Sequence, residues 1–96
     1  MSIHHPLLMH LELVKEIHYS FEGIEPRIVA RIYKIIKGAN AQYQWDINYY
    51  YRLKDQAMPY ITSAIFGSTL EETEHRLVQY VKNFEKAAEW VKNDYF

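Results

Sequence analysis

The segment from Tyr43 to Phe66 constrains the fold of this chain most strongly. Apolar and aromatic residues alternate with mostly polar ones from Tyr43 to Leu53, as in a strand with one buried face. Four turn-prone residues follow, and a second alternating run extends from Met58 to Phe66. The pattern predicts an antiparallel β-hairpin. Because two strands are at best marginally stable alone in water, helices or another chain must cover it.

Three helices are predicted around this hairpin. Apolar residues after Pro6 recur at helical spacing as far as Phe21, and a strand over Leu8 to Ile17 is the alternative. Isoleucines at similar spacing predict a second helix over residues 26–37. A final helix of about 24 residues begins at Ser68, where hydroxyl and glutamate side chains form two overlapping capping boxes. The predicted fold is one α+β domain of residues 1–96 in the order α-α-β-β-α, with residues 1–5 flexible.

Composition limits the classes of function. None of the 96 residues is cysteine, so disulfides and thiolate chemistry are excluded and a cytoplasmic location is favoured. No apolar run approaches the roughly 18 residues of a membrane span. The chain also lacks a nucleophile elbow, a Walker A sequence and a dinucleotide-binding glycine motif. We therefore expect a protein that is not an enzyme and needs no cofactor.

Histidines near the N-terminus are the only candidate metal ligands. His4, His5 and His10 lie close in sequence, and Glu12 could join them. A structural zinc site needs four ligands at tight spacing on a rigid turn or helix, whereas this cluster straddles a flexible end. We therefore predict no metal site.

The outer face of the predicted hairpin is a candidate association surface. Pairing Leu53 with Met58 places Tyr51 opposite Tyr60 on the face that the helices cover. The opposite face mixes apolar and polar side chains, and such a face with open strand edges favours a homodimer that binds another protein. Cover by another part of the same chain is the alternative. The predicted interface residues are Tyr50, Ile61 and Ile65.

A basic segment offers a second kind of partner. Residues 27–54 carry six basic side chains and one acidic side chain, although the whole chain has a formal net charge of −1. On a helix over residues 26–37, three of these bases share the face away from the apolar stripe, near aromatic strand residues. Such a face suits an acidic protein or, as the alternative function, a nucleic acid. The predicted binding residues are Arg27, Arg31, Lys34 and Arg52.

Overall fold

The computed structural model describes residues 5–96 and shows a mostly β protein with one helix late in the chain. The predicted order α-α-β-β-α is therefore wrong, because the first two predicted helices are strands. The predicted flexible end, residues 1–5, lies outside the described residues except for His5.

The two longest strands form a hairpin at the start of the chain. Strand β1 (His10–Phe21) pairs antiparallel with β2 (Ile24–Lys37). The loop between them has only two residues. Its Gly23 adopts a φ of +78°, a backbone conformation that residues with a side chain rarely adopt. The predicted second helix is wrong because β-branched residues favour a strand. The strand alternative for Leu8 to Ile17 describes the first segment better than the helix.

The predicted central hairpin is also wrong in most of its pairing. Its first arm is divided at Asn48 into β3 (Tyr43–Ile47) and β4 (Tyr49–Arg52), which belong to different sheets. Its second arm is irregular apart from the very short β5 (Phe66–Gly67). One predicted pair is confirmed, since Tyr51 and Tyr60 form an isolated antiparallel bridge.

The helix begins close to the predicted position but is shorter. Helix α1 (Leu70–Val81) continues into a 3-10 turn (Lys82–Lys86). The Thr69 side chain accepts a hydrogen bond from the Glu72 backbone N–H at 3.0 Å, and the Glu72 carboxylate accepts one from the Ser68 N–H at 3.1 Å. The chain then ends in strand β6 (Glu89–Lys92), which pairs with β4 in place of the predicted helical end.

The core lies between α1 and one face of the four-stranded sheet, whose order is β1-β2-β3-β5. We call this the helix face and the opposite one the outer face. Along β2, alternate residues are fully buried on the helix face, as period-two burial requires. The buried apolar side chains of the core cluster are Ile28, Ala30, Ile32, Trp45, Ile47, Tyr51, Leu77, Tyr80, Val81 and Phe84.

The first hairpin makes the molecule elongated. Its extents are 56 × 31 × 23 Å, and its radius of gyration of 15.6 Å exceeds the roughly 12–13 Å typical of a compact domain of this size. Strand β2 has 14 residues and spans about 46 Å, whereas a 12-residue helix spans about 18 Å. One sheet segment therefore extends beyond the cover that the helix provides.

Candidate protein-interaction surface

The outermost strand of the larger sheet has an open side. Strand β1 pairs with β2, and among residues 5–96 no strand pairs with its other side, which we call the free edge. Register shifts occur between Leu13 and Lys15 and between Tyr19 and Phe21. Between them, the five residues 15–19 pair in regular register with residues 32–28 of β2. A regular edge of this length can accept another strand.

Polar side chains next to the free edge form a chain of contacts across the outer face. Glu16 accepts hydrogen bonds from Arg31 Nε at 2.9 Å and can accept one from His18 Nε2 at 3.0 Å. These contacts from His18 and Arg31 lower the pKa of the Glu16 carboxyl. On β3, Asp46 lies opposite Arg31, and burial raises the pKa of its carboxyl. The outer face near the free edge therefore carries fixed charges of both signs.

Apolar side chains are exposed around the open end of the first hairpin. We call this group the apolar end, and two of its members, Leu8 and Leu13, are 80% and 56% exposed. The segment before β1 reaches it by passing against Gly38, where an added Cβ would lie 2.9 Å from the Leu8 carbonyl oxygen. Clusters of exposed apolar side chains of this kind are typical of interaction sites. The members of the apolar end are Leu7, Leu8, Met9, Leu13, Val14 and Ile36.

A cleft of about 620 Å³ lies at the other end of the free edge, between the hairpin and the helix. Residues from both faces of β1, such as His18 and Tyr19, line it, so the cleft wraps around the edge of the strand. Helix α1 and the 3-10 turn supply the opposite wall, which includes Val78, Val81 and Lys82. The cleft can accommodate side chains of another strand that pairs with the free edge of β1.

The predicted interface residues lie together, although not on a hairpin face. Tyr50, Ile61 and Ile65 all line a cavity of about 180 Å³ beside β3. Ile61 is 64% exposed, whereas Tyr50 and Ile65 are half-buried and pack against the core. With the neighbouring Met58 and Tyr60, Ile61 forms an exposed apolar group that we call the loop surface.

The predicted basic binding residues are dispersed. The helical spacing that grouped them does not apply to a strand, because alternation places Lys34 on the helix face and Arg31 on the outer face. Arg31 is engaged by Glu16, and its guanidinium carbon lies 4.3 Å from the centroid of the Phe96 ring. Arg52 binds Glu89 at 3.2 Å and donates to the Gln56 carbonyl at 3.0 Å. Arg27 is exposed at the start of β2.

Two further features bear on chemistry. Within residues 5–96, no three His, Asp or Glu side chains are grouped so that they could hold a metal ion. His4 of the candidate histidine cluster lies outside the described residues. The same part of the chain contains no helix long and apolar enough to cross a membrane.

The chain matches no protein-family model, and comparisons with curated proteins and with solved structures give no match. The free edge was missed because the first segment was interpreted as a helix. Two signals in the sequence point to it: apolar residues at every second position in Ile17, Tyr19 and Phe21, and a glycine in the tight turn that follows.

Proposed function

We propose that the protein is a non-enzymatic interaction protein that acts as a homodimer and binds another protein. The free edge of β1 is the observation that carries this proposal. A long strand with one unpaired side presents a row of backbone N–H and C=O groups, which bind another strand readily. Natural sheets commonly protect such an edge with proline, charged side chains or bulges. Strand β1 contains no proline, and although it carries charges and register shifts, the segment Lys15–Tyr19 between those shifts stays regular.

The apolar end supports association at the same place. Leu13 and Val14 are 56% and 44% exposed on β1 itself, and Leu8 is 80% exposed just before it. Removing such side chains from water contributes about 25 cal/mol for each Å² of apolar surface. Backbone pairing and apolar burial are therefore available together on one side of the molecule.

The loop surface is the candidate site for the other protein. Met58 and Ile61 are 72% and 64% exposed on an irregular segment, and Ile61 also lines the cavity of about 180 Å³ beside β3. A functional surface on a loop held by a rigid sheet is common. It is also the surface that the predicted interface residue Ile61 occupies, so a homodimer built there is the competing arrangement.

Nucleic-acid binding through Arg27, Arg31, Lys34 and Arg52 has less support. Nonspecific affinity for nucleic acid depends on several cations that neutralise neighbouring phosphates. Two of these four side chains are engaged with carboxylates, and the other two lie apart on β2.

The test is the solution mass by light scattering, at low and high salt, with and without a mixed pool of DNA and RNA. We expect a salt-resistant dimer that ignores nucleic acid. Leu13→Glu and Ile61→Glu form a matched pair, because both side chains are exposed to similar extents, 56% and 64%. We expect Leu13→Glu to shift the mass towards the monomer and Ile61→Glu to leave it unchanged.

Each other result has a defined meaning. Dissociation by Ile61→Glu alone would move the dimer interface to the loop surface. A monomer at every concentration would refute the homodimer. A mass increase that requires nucleic acid and disappears at high salt would favour the alternative function.

A further inference from the structure

We infer that two copies of the chain pair their β1 strands antiparallel about a two-fold axis at Ile17, which joins two four-stranded sheets into one of eight strands. This inference rests on the homodimer proposed above and specifies its register. It concerns the five regular residues 15–19 of the free edge. At about 3.3 Å per residue they extend about 17 Å, the length of an average strand.

The geometry of antiparallel pairing limits the possible registers. A two-fold axis that relates two antiparallel strands is perpendicular to the sheet, so opposed residues must come from the same face. Within the regular segment the axis must therefore lie midway between one residue and its own copy. It cannot lie at the level of a peptide bond between two successive residues. An axis at Ile17 places Ile17 opposite its own copy, Glu16 opposite His18 of the second copy, and Lys15 opposite Tyr19 of the second copy.

Side-chain pairing favours this register over an axis at Lys15, Glu16 or His18. An axis at Lys15 opposes two lysines, and an axis at Glu16 opposes two glutamates, and like charges directly opposite destabilise a strand pair. An axis at His18 pairs Glu16 with Ser20 and places the two copies of the His18 ring opposite each other. At Ile17, each Glu16 instead faces a His18 ring, and the same two residue types already meet at 3.0 Å within one chain.

The helix-face pairs are compatible with the same axis. Lys15 is held by Glu74 of α1 at 3.0 Å, so its side chain extends along the helix face. Opposite it, the half-buried ring of Tyr19 packs against the core of its own copy. A lysine stem and an aromatic ring make a favourable cross-strand pair, because the apolar stem packs on the ring while the ammonium stays bound to Glu74.

Shape complementarity supports a second copy as the occupant. Beyond the regular segment, where the register shifts occur, Leu13 and Val14 of one copy approach the region of Ser20 and Phe21 of the second copy. That end of β1 borders the cleft of about 620 Å³ described above. Side chains of one copy that are 56% and 44% exposed therefore meet the cleft of the other. The two-fold axis repeats this contact, as an isologous interface requires.

Disulfide trapping tests the register directly, because the natural chain contains no cysteine. Directly opposed residues of antiparallel strands have Cβ atoms about 4.5–5.5 Å apart, close to the separation that a disulfide requires. Ile17→Cys is expected to form a covalent dimer under mild oxidation at least ten times faster than Lys15→Cys. Asp55→Cys, in a distant exposed turn, serves as the background control.

A second pair of cysteine variants tests the same register without changing the half-buried Ile17. Glu16→Cys and His18→Cys are prepared separately, and each alone is expected to crosslink about ten times more slowly than Ile17→Cys, because its two copies are diagonal neighbours about 7–8 Å apart. Mixed together, they are expected to yield the covalent heterodimer. Circular dichroism confirms that each variant keeps the strand content of the natural chain.

The outcomes separate this inference from the homodimer itself. Self-crosslinking of Glu16→Cys alone as fast as that of Ile17→Cys, or no crosslink above background in a protein that light scattering shows to be a dimer, overturns the register but leaves the homodimer standing. A monomer overturns both.

Discussion

Asn48 joins the two sheets, and its replacement by alanine is expected to destabilise the fold. Its side-chain Oδ1 accepts a hydrogen bond from the Val29 N–H at 2.8 Å, and its Nδ2 donates to the Arg27 carbonyl at 3.0 Å. Its own backbone N–H binds the Val29 carbonyl at 3.0 Å, and its carbonyl accepts from the Asn93 N–H at 2.8 Å. The side chain therefore continues the β2–β3 ladder where the chain leaves β3 for β4.

The two lost side-chain bonds differ in cost. The Val29 N–H is part-buried, so leaving it without a partner costs about 1–2 kcal/mol. The bond to Arg27 is exposed, and water can replace it at a cost of about 0.5 kcal/mol. Together Asn48→Ala is expected to lower the free energy of unfolding by about 2 kcal/mol. For a domain of this size that corresponds to a fall in Tm of roughly 8–16 °C.

Urea and thermal unfolding followed by circular dichroism measure this change. Asn83→Ala is the matched control, because the Asn83 amide donates to the Gln79 carbonyl on the exposed surface at 3.1 Å. It is expected to change stability by less than about 0.5 kcal/mol. The reasoning fails if the free energy of unfolding of Asn48→Ala lies within about 0.5 kcal/mol of that of the natural protein. It also fails if Asn83→Ala loses as much stability as Asn48→Ala.

Three further predictions concern the core and the titrating groups. Leu77 is 0% exposed, so Leu77→Ala should lower the free energy of unfolding in urea by about 3–5 kcal/mol. Burial raises the pKa of Tyr80, so its hydroxyl ionises in the unfolded chain before it does in the folded one. Stability should therefore fall as the pH rises above about 10. Tyr80→Phe should reduce this fall, as measured by thermal unfolding across pH. The raised pKa of Asp46 means that folding disfavours its carboxylate, so Asp46→Asn should be more stable at pH 7, and this gain should shrink as the pH falls towards 4.

Local chemistry made one part of the fold predictable. The start of α1 depends on a few adjacent residues. Thr69 caps the helix by accepting from the Glu72 N–H as the sequence indicates, whereas the Glu72 carboxylate binds the Ser68 N–H and not the Thr69 N–H that a full capping box requires. The isolated pair Tyr51–Tyr60 was also predictable, because the two residues are close in sequence and a turn brings them together. Both features require only contacts within about ten residues.

Features that depend on distant residues could not be predicted in the same way. The isoleucines of β2 fit helical spacing and strand alternation about equally, and only their β-branched character favours the strand. The break of the central strand at Asn48 depends on Asn93, whose amide donates to the Ile47 carbonyl at 2.8 Å from the far end of the chain. The predicted basic surface fails for a similar reason. Arg31 and Lys34 would share one face of a helix, but on strand β2 they lie on opposite faces.

The unequal edges of the larger sheet explain why association at β1 would stop at two copies. One edge is β1, with 12 residues, and the other is β5, with two. A two-fold pairing of β1 with its copy uses both long edges and leaves only the two short β5 edges outside. Strand addition cannot readily continue from an edge of two residues. The register shifts on either side of Lys15–Tyr19 also limit regular pairing to five residues, so the arrangement favours a closed dimer over an open fibre.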